Sequence, residues 1–247
     1  MNSSNILPFG YQHSDVVNIA GKESFYSLLN KYGEIKDIEI TDKILSINHK
    51  YPPTWGVKID KKGIIEFEMY FYVYNPSTRI YEDDAITVNK LQQKFNFECQ
   101  YKSVITMYSM DYHIEPIELN FYYFTSSNEI LDIGYSEKNK QLTNHYYRFF
   151  PDTIDNNYID YIDTNLINYH IRDIKTIFVA DKLVRNFYGI YYDGVDYTQL
   201  KYFLEKYNFD KNLIIGFDKN RHYSISIDFN KIDNSIERIG IYGLLYE

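Results

Sequence analysis

Glu66 and Glu68 stand two apart in the stretch GIIEFEMYFYVYN (63–75), and Tyr70, Tyr72 and Tyr74 continue the same spacing. Alternate residues of an extended chain share a face. One side of this segment therefore carries carboxylates and phenols, and the other carries Ile65, Phe67, Met69, Phe71 and Val73. Carboxylates take up protons and pair with cations. Phenols combine apolar ring area with a polar handle. A strand face turned to bulk water would carry lysines and threonines instead. This is neither a dry core nor a plain solvated surface, and its composition suits a ligand cavity.

The same alternation recurs. Tyr108 accompanies Lys102 and Thr106, Tyr122 accompanies Glu118 and Asn120, and Tyr242 accompanies Arg238. Ser224 and Ser226 accompany Asp228. Lys58 lies in the first arm of the hairpin whose second arm holds Glu66 and Glu68. For Lys58 a simple cross-strand ion pair with either carboxylate is the alternative to a ligand role. A tyrosine on a strand is, by the same reasoning, a packing element unless something gathers several of them.

The elements that must position these residues follow from periodicity and punctuation. Phe25, Leu28, Leu29 and Tyr32 have helical spacing, with Gly33 as a stop. IKDIEI (35–40) and KILSINH (43–49) alternate and read as strands. A hairpin follows, from WGVKID to IIEFEMYFYVYN, with its turn at Asp60 and Gly63. Ala85, Val88, Leu91 and Phe95 predict a second helix. Strands are expected at CQYKSVITMYS and IELNFYYF, then a hairpin at 129–150. A weak helix is expected in DNNYIDYIDTNLINYH. Strands DIKTIFVAD and RNFYGIYY come next, with a turn at Asp193–Gly194. The segment DYTQLKYFLEKYNF has the strongest helical pattern, with Asp196 as cap, Gln199 as its capping-box partner, and a stripe of Leu200, Phe203, Leu204 and Tyr207. NLIIGF, HYSISIDF and SIERIGIYG close the chain as strands.

Three helix endings resemble one another (YSLLNKYG, NKLQQKFNF, KYFLEKYNF), and so do three hairpins. Such repetition predicts one α+β domain over 1–247, built of helix-plus-antiparallel-strand units. Hairpins exclude a parallel sheet, so the helices must cover one face of an antiparallel one. The second, tyrosine-rich face is sheltered if about ten strands close into a barrel. A strongly curved open sheet with helices on its outer face is the alternative.

Composition narrows the function. The chain has 247 residues, 28 Tyr, 16 Phe, one Trp and a formal net charge of -8. That balance argues against a general nucleic-acid binder, whose affinity comes from neutralising phosphates. The lone Cys99 excludes an internal disulfide and a cysteine-rich zinc site. The opening MNSSNILPFGYQHS has no basic region followed by an apolar run. Together these predict a cytoplasmic location. No stretch reaches the roughly 18 apolar residues of a membrane helix. The phosphate-loop, dinucleotide, nucleophile-elbow and HExxH patterns are all missing. The acids of EDDAIT suit a helix N-terminus, and the scattered histidines do not reach the ligand count of a metal site.

With these residues in view, the chain resembles the ABBA prenyltransferases, and most of all their cyanobactin-peptide branch. GVDYTQLKYFLEKYNFDKNLIIGFDKN (194–220) is similar to that branch's strand, Tyr-Ser/Thr-x-Leu helix and strand ending in an aspartate turn. SIERIGIYGLL (235–245) is similar to its final strand, where an arginine and a tyrosine alternate with apolar residues. The resemblance covers about the last 60 residues plus the repeat pattern. It implies a ten-stranded antiparallel barrel with helices outside and transfer of a prenyl group from an allylic diphosphate to an aromatic or peptide acceptor. It further implies that Lys58, Lys102 and Arg238 bind the diphosphate. Tyr70, Tyr72, Tyr108, Tyr122 and Tyr242 would shield the allyl cation, and Glu66 or Glu68 would take the acceptor's proton. No resident metal is implied, and whether Mg2+ accompanies the diphosphate stays open. The competing reading is a noncatalytic protein that holds a ligand or another chain on its aromatic face. The enzyme needs its cations to converge on one point, and a plain binder does not.

Overall fold

The computed structural model describes residues 20–47, 53–72, 107–112, 118–124, 132–138, 141–149, 161–166 and 177–245. The strands are β1 Thr54–Asp60, β2 Ile65–Tyr72, β3 Met107–Tyr112, β4 Glu118–Phe124 and β5 Asp132–Lys138. They continue with β6 Gln141–Phe149, β7 Ile177–Lys182, β8 Phe187–Asp196, β9 His222–Asn230 and β10 Ile236–Leu244. All ten pair antiparallel in chain order, and β10 returns to pair with β1. The result is a closed barrel, and closure leaves no strand edge exposed.

Three α-helices among the described residues lie outside it: α1 Lys22–Tyr32, α2 Ile35–Leu45 and α3 Tyr197–Lys206. Their buried residues Phe25, Leu28, Leu29, Ile44, Leu200, Phe203 and Leu204 join one cluster with the outward residues of the barrel. Those outward residues include Trp55, Val57, Ile59, Ile65, Phe67, Met69 and Phe71. Each such side chain contributes about 1.5–3 kcal/mol by leaving water. This dry layer fixes the register, because a one-residue slip would turn every apolar side chain inward.

The two ends of the barrel differ. Hairpin turns at 61–64, 183–186 and 231–235 gather at one end. There they are tied laterally by backbone bonds: Lys61 N–H to Glu237 O (3.2 Å), Lys231 N–H to Asn186 O (3.1 Å) and Leu183 N–H to Thr143 O (2.9 Å). The segments carrying α1–α2 and α3 connect at the opposite end, where Ala20 bonds both His222 and Leu244.

Local chemistry accounts for the helices and for the corrections. The α3 N-terminus has the expected capping box, Asp196 accepting from Gln199 N–H at 2.8 Å and Gln199 Oε1 accepting from Asp196 N–H at 3.1 Å. IKDIEI and the start of KILSINH are not strands but α2. Its buried residues Asp37, Thr41 and Ile44 have helical spacing, and Glu34 with Asp37 forms a second capping box. The alternating isoleucines concealed that period. NLIIGF is not a strand either. Asp210 caps a 3-10 turn at Lys211–Ile214, and Gly216 at φ 95° breaks any continuation. Asp193–Gly194 does not end β8. The strand runs through it with a register shift between Tyr192 and Val195, and Gly194 takes a φ of 67°. The helix expected around Ala85 and the segment holding Lys102 lie outside the described residues. Of the weak helix in 155–170, the described part holds a 3-10 turn at Thr164–Leu166.

Candidate functional site

The lumen is built from the residues that alternate with the apolar outer set. Across its waist six rings form a continuous circuit. Tyr70 (β2) meets Tyr122 (β4) at 6.1 Å between ring centroids, Tyr122 meets Tyr146 (β6) at 5.9 Å, and Tyr146 stacks on Phe178 (β7) at 5.3 Å. Phe178 meets Tyr191 (β8) edge-on at 5.4 Å, Tyr191 meets Tyr242 (β10) at 6.1 Å, and Tyr242 returns to Tyr70 at 6.0 Å. Burial pushes the phenols of Tyr70, Tyr122, Tyr146, Tyr191 and Tyr242 far up, so the collar is neutral. Its hydroxyls are held by the wall: Tyr122 with Ser109 at 3.1 Å, Tyr242 with Ser226 at 3.1 Å, and Tyr146 accepting from Asn144 at 3.1 Å.

Between the collar and the hairpin end lies a charged layer. Lys58 donates to Glu68, which also accepts from the Tyr70 hydroxyl at 2.7 Å. Lys182 donates to both oxygens of Asp228, at 2.5 and 2.7 Å. Arg238 donates to Asp228 through Nε at 2.8 Å and Nη2 at 2.7 Å, and to Glu66 through Nη1 at 2.9 Å. Arg185 approaches Glu66 at 3.7 Å from the rim. Burial pushes the Glu66 carboxyl up, but Arg238, Lys58 and Arg185 more than offset it and hold the group low. The same contest at Asp228, burial against Lys182 and Arg238, leaves it well below the usual carboxylate range. Burial pulls the Lys182 ammonium down to about 7, with Asp228 opposing and Arg238 and Lys58 adding to the fall.

This layer opens into a cavity of about 240 Å³. Its lining includes Lys58, Lys138, Lys182, Arg185 and Arg238 together with the collar residues Tyr70, Tyr122, Tyr146 and Tyr191. Lys58 and Arg238 thus converge, whereas Lys102 lies outside the described residues. Glu66 faces the cavity, and Glu68, fully buried, sits behind Tyr70 and Lys58. Tyr70, Tyr122 and Tyr242 are members of the collar. Tyr72 ends β2, and its backbone alone is described.

Tyr108 is a correction. It does not face the lumen: paired with Phe71 in register and stacked on it at 5.0 Å, it belongs to the outer apolar cluster. The inward residues of β3 are instead Ser109 and Asp111, which bond with Tyr122 and Asn120. Two small polar residues are better placed in a polar lumen than in a dry outer layer. The alternation expected from Tyr108 was therefore one residue out of step.

Tyr146, Phe178, Tyr191 and Lys182 were not singled out by sequence. Tyr146–Tyr147 and Tyr191–Tyr192 each put a tyrosine on both faces, with Tyr147 and Tyr192 packed in the outer layer, so hydropathy offers no contrast between the faces. Lys182 lies one residue beyond the strand as read, yet shares parity with Phe178. Among the described residues, no group of three or more His, Cys, Asp or Glu could hold a metal ion, and Glu66, Glu68 and Asp228 already bind lysine or arginine. No helix among the described residues is long and apolar enough to cross a membrane.

No family model and no curated protein matches this chain. Solved structures do. It is similar to 5-dimethylallyltryptophan synthase from Streptomyces coelicolor, with a TM-score of 0.58, 7% identity, and coverage of 90% of this chain and 95% of that one. It is equally similar to 6-dimethylallyltryptophan synthase from Micromonospora olivasterospora in complex with DMASPP and Trp, at 0.58, 8%, 90% and 95%. A further 6-dimethylallyl tryptophan synthase gives 0.56, 8%, 90% and 94%. These likenesses show the ABBA-type barrel fold. They lie with tryptophan-prenylating enzymes and lend no support to the cyanobactin branch.

Proposed function

We propose that the chain transfers a prenyl group from an allylic diphosphate to an aromatic or peptide acceptor inside the barrel. One observation carries the reading: five cations, Lys58, Lys138, Lys182, Arg185 and Arg238, line a single cavity whose inner wall is a collar of tyrosines. A structural neighbour was solved with an allylic diphosphate and tryptophan bound, which supports the pairing of substrates proposed for this chain.

In this reading the cations receive the diphosphate by charge-assisted hydrogen bonds. Cleavage of the allylic C–O bond leaves the electron pair on the departing diphosphate and an allyl cation on the carbon fragment. The faces of Tyr70, Tyr122, Tyr146 and Tyr191 favour that positive charge. The surrounding wall keeps water from it. The acceptor's π electrons form the new C–C bond, and the ring then loses a proton. Glu68 takes it through the Tyr70 hydroxyl that already donates to Glu68. Glu66 is the weaker choice of base, because Arg238 and Arg185 fix it at the mouth. The cavity is slightly smaller than the ~300 Å³ at which small-molecule sites begin. Both substrates together need more room than this, so forming the ternary complex requires side chains to move at the mouth, which Val184 and Arg185 help to line. The lumenal carboxylates do not suit a resident metal, and any Mg2+ would arrive on the diphosphate.

The test is incubation with dimethylallyl diphosphate and tryptophan, or an aromatic-containing peptide, read by mass spectrometry for an acceptor one prenyl group heavier. Turnover that Glu68→Gln lowers by about 10²–10⁴ supports the assignment. A second reading, a noncatalytic ligand-binding protein, is favoured by one observation: Lys58, Lys182 and Arg238 are already matched by carboxylates, so the charged layer is complete as a structural element without a substrate. Diphosphate binding with no product from any acceptor would select it.

A further inference from the structure

Arg238 has three of its donor positions committed. Nε and Nη2 go to Asp228, and Nη1 goes to Glu66. Lys182 places its ammonium against both Asp228 oxygens. Asp228 thereby accepts four charge-assisted contacts in a seat that is 1% exposed. The seat is shaped for it. Gly189 lies opposite Asp228 in register, and a Cβ there would stand 3.0 Å from both Asp228 Oδ1 and Lys182 Cε. Around Asp228 stand Lys182 from β7, Tyr191 from β8, Arg238 and Tyr242 from β10, Lys58 from β1, and Glu66 and Glu68 from β2. Among the described residues, the three buried cations of this layer are matched by three carboxylates, so the layer is electrically balanced before any ligand arrives.

A diphosphate carries several negative charges of its own. Added to a balanced buried layer, it leaves uncompensated anions in a poorly solvated place, which is costly. It reaches Lys182 and Arg238 only if their carboxylates give them up, and a buried carboxylate stripped of partners takes a proton. We propose that Asp228, with Glu66 on the other edge of Arg238, is a resident anion that occupies the diphosphate seat and must release Lys182 and Arg238 before the ligand can bind. This rests on the diphosphate reading above and adds a regulation to that site. Affinity is held down by an internal competitor rather than by a lack of cations.

The test is isothermal titration of wild type, Asp228→Asn and Glu66→Gln with inorganic pyrophosphate, in magnesium-free buffer at about pH 6, where Lys182 carries its charge in wild type, and again at about pH 5 for Asp228→Asn, which lacks the carboxylate that favours the ammonium. Removing the resident anion should tighten binding by about tenfold or more in Asp228→Asn, and about threefold in Glu66→Gln, whose carboxylate touches Arg238 at one donor position. Asp228→Asn leaves buried cations unpaired, so it is prepared with pyrophosphate present and exchanged afterwards. If it does not fold even so, Glu66→Gln decides by the same sign. Weaker binding in the variants overturns the proposal, and Asp228 is then a positioning residue that holds the cations ready. Equal binding in all three forms overturns this proposal alone. No pyrophosphate binding by any form overturns it together with the diphosphate site.

Discussion

Gly56 and Gly240 flank Tyr242, and the room they leave is what lets a phenol lie flat inside the barrel. A Cβ on Gly240 would stand 2.4 Å from the Tyr242 hydroxyl and 2.5 Å from Ser226 Oγ, and one on Gly56 would meet the Tyr242 ring at 2.7 Å. Gly240→Ala should therefore push Tyr242 out of the collar and cost about 1–3 kcal/mol, read as a lower melting temperature with a changed near-ultraviolet tyrosine signal. Tyr108 provides the contrast. Because it lies in the outer layer, Tyr108→Phe should leave diphosphate binding and turnover unchanged, while Tyr70→Phe, which breaks the bond to Glu68, should lower turnover. Equal losses in both variants would contradict this division of faces. Lys182 gives a pH signature with a definite sign. Burial lowers it to about 7 in the folded chain, against about 10.4 unfolded. Between those values the unfolded chain binds more protons, so this group adds stability as pH rises from about 7 to 10. Denaturant titrations across that window should show a steeper rise in wild type than in Lys182→Met. Anion affinity should move the opposite way, falling as pH rises through about 7.

Elements were legible in proportion to the contrast along them. The first hairpin sets Ile65, Phe67, Met69 and Phe71 against Glu66, Glu68 and Tyr70, and the fold keeps that partition. The α3 helix announced itself by its cap and its stripe. Asp196→Ala should cost about 1 kcal/mol, within a range of 0.5–2, measured as a shift in melting temperature, because it frees the Gln199 N–H that Asp196 accepts. Lines with weak contrast were misread. In α2, isoleucines two apart imitate a strand, and the decisive residues are polar: Asp37 closes the cap at Glu34 N–H, and Thr41 bonds the Tyr112 hydroxyl at 2.9 Å. In β6 and β8 tyrosines occupy both faces, so parity alone could not tell collar from outer layer. The charged layer was half visible. Lys58, Glu66, Glu68 and Arg238 were named on strand alternation, whereas the role of Lys182 depends on its contact with Asp228, which is 46 positions distant in sequence.

On the scale of the whole molecule, closure is what makes a site of these residues. An open sheet of the same strands would leave the collar as a row of half-wet rings and the charged layer as surface ion pairs, each worth little. Closure rests on the pairing of β1 with β10, from Thr54↔Leu244 to Asp60↔Arg238. Ile241→Pro, opposite Val57 in that seam, should reopen the ring. The expected outcome is the loss of a ladder hydrogen bond and a lower melting temperature, with concentration-dependent aggregation from the freed edges, followed by light scattering during refolding. A variant as stable and as monodisperse as wild type would show that the seam is dispensable.

That seam also carries a timing consequence for biosynthesis. β1 is made well before its lateral partner β10, with eight strands between them. At about 5–20 residues per second, β1 spends on the order of ten to forty seconds on the ribosome with one flank unzipped. During that interval α1, which packs on its outer side, can already shelter Trp55. The nascent chain is thus a half-built cylinder guarded by its first helix, and a ribosome stalled before β10 would release a sticky, open-sided intermediate.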